Sequence, residues 1–118
     1  MDTRTEADAG GTVYVFVAGE IDMATADELQ HALITAVGGR SATEVLVDYA
    51  GVTFCDSSGI AALDRAYAVA AERGVVFRLV GVQHSVRLVL EITGMLQALT
   101  QPDRSSAVDV ADSTDAVQ

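Results

Sequence analysis

Hydrophobic and polar positions switch between a two-residue and a three-to-four-residue period along the chain. Residues 12–18, TVYVFVA, are dense in β-branched and aromatic types, which predicts a strand. Val13, Val15 and Val17 alternate with Tyr14, Phe16 and Ala18, and both sets are apolar. Such a strand is covered on both faces, or packed on one face with an interface on the other. Thr25-Ala26-Asp27-Glu28 then reads as a capping box. Leu29, Ala32, Leu33, Ala36 and Val37 follow at helical spacing until Gly38-Gly39, predicting the first helix. Residues 44–49, EVLVDY, predict a second strand, and 50–57 a loop of small and turn-forming types. Residues 58–73 predict an Ala-rich helix with Ile60, Leu63, Tyr67 and Ala70 on one stripe, closed by Gly74. Residues 75–80 predict a third strand. A short helix with Val86, Val89 and Leu90 inward ends at Gly94. Residues 96–100 predict a short last strand, and 105–113 a last amphipathic helix beyond Pro102. Residues 1–9 and 114–118 are expected to be flexible, with an edge strand over 3–8 as the alternative for the first of these.

Strand and helix alternate, which points to a layered α/β domain with parallel crossovers. A length of 118 residues suits one domain. In such sheets function gathers in the loops at the C-terminal strand ends. Two of these carry polar clusters: Gly19-Glu20-Ile21-Asp22 and Phe54-Cys55-Asp56-Ser57-Ser58-Gly59.

Charge narrows the function. The chain has 17 Asp and Glu against 7 basic residues, all Arg, for a net of −10. Phosphate backbones and anionic membranes are repelled by such a protein, so neither nucleic acid nor membrane is expected as a partner. No apolar run reaches the ~20 residues of a membrane helix. The polar, acidic start MDTRTEADAGG does not read as a signal peptide, and a cytoplasmic location is expected. Cys55 is the only cysteine, and its apolar setting favours a buried, inert thiol over a redox sensor.

Asp56-Ser57-Ser58-Gly59 opens a helix and admits two readings. All three polar residues are good N-caps, and a cap alone would account for one of them. Alternatively, a hydroxyl at a helix N-terminus is a phosphoacceptor: the product phosphate would face free amides and the positive end of the helix dipole. A serine hydrolase needs a base and an orienting group. His31 and His84 are the only histidines, each reads as a surface or cap residue, and no Gly-x-Ser-x-Gly elbow exists. No catalytic residue is therefore assigned. The carboxylates Glu20, Asp22, Asp48 and Asp56 lack the spacing of an ion-binding loop, and no phosphate-binding Gly-Lys-Ser/Thr occurs, so neither metal nor cofactor is expected.

GEID at 19–22, TADEL at 25–29, VLVDYAGVTFCDSSGIAAL at 45–63 and the segment 75–94 resemble the STAS-domain family, specifically bacterial anti-sigma factor antagonists. The resemblance covers residues 12–100 best, within a single domain over 1–118. It implies a mixed β-sheet of four to five strands with helices packed mainly on one face. It also implies that Ser57 is phosphorylated, with Asp22, Asp56, Ser58 and Gly59 as its neighbours. The implied kinase is the anti-sigma factor itself, which has a histidine-kinase-like ATPase fold. The unphosphorylated antagonist binds that factor and frees a sigma factor, and a metal-dependent serine phosphatase resets the switch. Glu20, Asp22, Thr25, Phe54, Asp56, Ser57, Ser58 and Gly59 are the expected partner-binding residues. Other uses of the family are a scaffold subunit of a signalling assembly or an accessory subunit of a transporter. A small-molecule or nucleotide-binding module is the remaining alternative.

Overall fold

The computed structural model describes residues 1–94. Its elements are β1 (Asp2–Ala7), β2 (Thr12–Ile21), α1 (Ala26–Val37), β3 (Glu44–Cys55), α2 (Ser57–Arg73), β4 (Val76–Val80) and α3 (His84–Thr93). The four strands form one sheet in the order β1-β2-β3-β4. β1 pairs antiparallel with β2, whereas β2–β3 and β3–β4 are parallel. The parallel pairs require crossovers, which α1 and α2 supply. The edge strand is thus the alternative taken at the N-terminus, where residues 2–7 pair rather than hang free. The expected strand over 96–100 and helix over 105–113 lie outside the described residues.

Alternation along the strands sets the core. Val13, Val15 and Val17 of β2, Val45, Val47 and Tyr49 of β3, and Phe77 and Leu79 of β4 are buried. They join Leu29, Leu33 and Val37 of α1, Ile60, Leu63, Ala66 and Ala70 of α2, and Val86 and Leu90 of α3 in one cluster. The helices therefore cover one face of the sheet. On the other face Tyr14, Phe16 and Leu46 are half-buried among the described residues. There the Tyr14 and Phe16 rings stack at 6.4 Å and the Arg4 guanidinium lies 4.3 Å over Phe16. Among the described residues, the helices pack on one face of β2 only.

Two boundaries differ from the sequence reading. β2 continues through Gly19 and Glu20 to Ile21, and β3 continues through the presumed loop to Cys55. Register shifts interrupt the pairing between Phe16 and Ala18 and between Gly19 and Glu20. After the first shift, Ala18 pairs with Gly51. A Cβ on Gly51 would lie 2.8 Å from the Ala18 Cβ, so the strands approach there only because residue 51 has no side chain. The Asp48 carboxylate accepts from the Ala50 amide (2.8 Å), and the Gln83 side chain donates to the Ala50 carbonyl (2.7 Å). These bonds hold the irregular stretch that the sequence pattern reads as a loop.

Candidate functional site

The longer strands bring the two polar loops together. Ile21 and Cys55 are register partners at the ends of neighbouring parallel strands. The Asp56 amide donates to the Ile21 carbonyl at 3.1 Å. Ile21 and Cys55 turn into the core, while Glu20 and Phe54, also paired, remain exposed. Gly59, in the first turn of α2, lies directly over the buried pair. A Cβ there would come within 2.6 Å of both Cys55 Sγ and Ile21 Cγ2. Only glycine lets the helix start this close to both strand ends.

The first loop folds on itself. The Asp22 amide donates to Thr25 Oγ1 (3.0 Å), and Asp22 Oδ1 accepts from the Ala24 amide (3.0 Å). The Asp22 carbonyl accepts from the amides of Thr25 (3.0 Å) and Ala26 (2.8 Å). The expected capping box is not formed. Thr25 does occupy the N-cap of α1, but its side chain accepts no bond from the helix. Its hydroxyl is turned back towards Asp22 and Glu20 instead. An aspartate able to fold onto its own following amides outcompetes the helix for Thr25.

The second loop is organised by one carboxylate oxygen. Asp56 is the N-cap of α2, and its Oδ1 accepts from the amides of Ser58 (2.9 Å) and Gly59 (3.3 Å). The same atom accepts from the Ser58 hydroxyl at 2.5 Å. That hydroxyl bond is the main reason the Asp56 carboxyl is held below its ordinary 3.8; partial burial opposes it and the amides of Gly59 and Ser58 reinforce it. Ser58 is half-buried and committed to this cap. Ser57, the first residue of the helix, is exposed, and among the described residues its hydroxyl has no hydrogen-bond partner. The phosphoacceptor reading expects free amides at this helix end. Those of Ser58 and Gly59 are instead occupied by Asp56, and that of Ile60 donates to the Asp56 carbonyl at 3.1 Å.

Two groups beneath the loop carry no charge at neutral pH. Burial, and secondly the neighbouring Asp56 carboxylate, push the Cys55 thiol up to about 11. Tyr49 is fully buried, its hydroxyl has no partner among the described residues, and burial raises it well above its ordinary value. Among the described residues, no group of three or more His, Cys, Asp or Glu converges in a way that could hold a metal. His31 and His84 are both exposed, and among the described residues neither is hydrogen-bonded to a serine. Met23 at the tip of the first loop, which the sequence reading did not single out, is 84% exposed beside Asp22. The available signal was a large apolar residue inside a turn of acids and small residues, off both helical and strand periods.

The STAS domain family model matches residues 4–110. The chain belongs to the STAS domain family. No curated protein matches it by sequence. Among solved structures, this STAS domain is similar to an anti-sigma factor antagonist from Mycobacterium paratuberculosis. They share 29% identity over 91% of this chain and 90% of that one, with a TM-score of 0.74. It also shares the fold of the Bacillus anti-sigma factor antagonist SpoIIAA in its unphosphorylated form, with a TM-score of 0.72 and 19% identity over 92% of this chain and 94% of that one. The same fold occurs in the murine Solute Carrier 26 family member A9 anion transporter: TM-score 0.69, 22% identity, 86% of this STAS domain but only 18% of the transporter. The mixed α/β sheet with helices on one face is the STAS fold. Among the described residues, no helix is long and apolar enough to cross a membrane.

Proposed function

We propose that this STAS domain is an anti-sigma factor antagonist switched by phosphorylation of Ser57. The observation that carries the reading is the division of roles at the start of α2. Ser58 is tied to Asp56, and Ser57 presents an exposed, unengaged hydroxyl beside it. The partner is an anti-sigma factor with a histidine-kinase-like ATPase fold, and a metal-dependent serine phosphatase reverses the modification. The domain acts by binding in the cytoplasm and is a substrate of the kinase rather than an enzyme. Glu20, Asp22, Thr25, Phe54, Asp56, Ser57, Ser58 and Gly59 form or shape the contact surface. Likeness to the Mycobacterium antagonist supports this role.

Phosphorylation would act locally. A phosphoserine adds about −1.5 to −2 charges at neutral pH. Because Asp56 already holds the amides of Ser58 and Gly59, the phosphate stays outside the helix end and projects into the contact surface. A partner complementary to the unmodified loops then meets a bulky dianion beside two aspartates.

The alternative is a subunit serving a transporter, supported by the shared fold of the anion transporter's own segment. A signalling scaffold and a small-molecule or nucleotide-binding module have no comparable support. Binding assays with the serine-kinase anti-sigma factors of the same genome test the reading. Wild type should bind one of them, and Ser57→Glu should weaken that complex by tenfold or more, which is ~1.4 kcal/mol. Equal binding by both forms would contradict the switch.

A further inference from the structure

The acidic loops carry two exposed apolar side chains that a purely electrostatic contact does not need. Met23 is 84% exposed and Phe54 is 49% exposed. Neither sits on a loose segment. Phe54 is held in β3 opposite Glu20 of β2. Met23 tips a turn fixed by the bonds of Asp22 and Thr25 at 2.8–3.0 Å. Keeping a large apolar side chain in water on an ordered backbone leaves little further ordering to be lost on binding. The other exposed large apolar side chains among the described residues, Val80 at the end of β4 and Leu88 and Ile92 on α3, belong to neither loop.

We propose that Met23 and Phe54 are the apolar anchors of the docking surface, and that the partner face they fit is an apolar cleft rimmed by Arg or Lys. The inference rests on the antagonist reading above and names the chemistry of its partner. Charge complementarity sets the rim: Glu20 is the register partner of Phe54 and Asp22 adjoins Met23, on a chain of net charge −10. Such charges accelerate encounter and fix orientation, whereas affinity concentrates in a few buried apolar side chains. A thioether adapts its shape to a cleft, and the Phe ring supplies a rigid counterpart. Specificity among related kinases then follows from the cleft that accepts Met23.

Calorimetry of the purified chain against each purified serine-kinase anti-sigma factor of its genome, at low and high salt, tests the inference. For the kinase that binds wild type, Met23→Ala and Phe54→Ala should each lose about tenfold in affinity. Those losses should be the same at both salt concentrations, while the loss for Glu20→Gln should shrink as salt rises. Met23→Ala touches no core contact and should melt like wild type, so it carries the test if Phe54→Ala disturbs β3. Affinities of both variants within about twofold of wild type, with Ser57→Glu still impaired, would overturn the inference and leave the antagonist reading standing. Losses that vanish in high salt would overturn it too. So would a wild-type dimer in sedimentation that Met23→Ala dissociates, because the occupant would then be a second copy. If no kinase bound wild type, the inference and the reading beneath it would fall together.

Discussion

Asp56, Ser57 and Ser58 look interchangeable as letters, since each is a good helix cap. The structure separates them. Asp56 takes the cap position with an extended backbone (φ −95°, ψ −172°), and its Oδ1 collects the Ser58 hydroxyl and two amides. The sequence shows a surplus of caps but not which residue wins, because that depends on where β3 ends. Removing the Ser58 hydroxyl should let the Asp56 carboxyl titrate closer to its ordinary 3.8, measured by NMR in Ser58→Ala against wild type. The sign for stability follows. Asp56 is depressed in the fold, so its contribution is present above the unfolded value and is lost as pH falls through the folded one. Asp56→Ala should therefore melt below wild type at neutral pH, and the gap should close in strong acid. Tyr49 tests the opposite situation. Its buried hydroxyl is unpartnered among the described residues, so Tyr49→Phe should be neutral or stabilising by up to about 1 kcal/mol in denaturant unfolding.

Element ends were the least legible part of the sequence. Apart from β1, whose sequence DTRTEA has no apolar period, the interior of each described helix and strand follows from such a period, but β2 and β3 run past the point where it breaks. In β3 the buried residues Tyr49, Val52 and Cys55 are three apart, because the pairing shifts register around Ala18 and Gly51. No two-residue alternation survives such a shift. Likewise the Thr25 capping box fails because Asp22 claims its hydroxyl, a contest that spacing alone does not decide. The join between elements is testable at Gly59, whose Cβ would meet Cys55 Sγ and Ile21 Cγ2 at 2.6 Å. Gly59→Ala should cost about 1–3 kcal/mol by overpacking, read from denaturant midpoints. Adding Cys55→Ala should recover part of the loss, since it removes one of the two obstructing atoms. Simple additivity of the two changes would contradict this contact.

At the scale of the whole molecule, the sheet buries one face under three helices and brings both acidic loops to the same end. The order of the two motifs made this end legible as the candidate site, and net charge argued against nucleic acid as its partner. The pairing of Phe54 with Glu20, three residues before Met23, was not legible, because it depends on how far β2 and β3 extend. The STAS fold itself serves antagonists and transporters alike, so the functional reading rests on the serine at the helix start. Phosphopeptide mapping after incubation with the kinase that binds the chain, ATP and Mg²⁺ tests that claim most directly. The account predicts a single phosphate on Ser57, lost in Ser57→Ala and retained in Ser58→Ala. A phosphate on Ser58, or none on a chain that binds the active kinase, would contradict it.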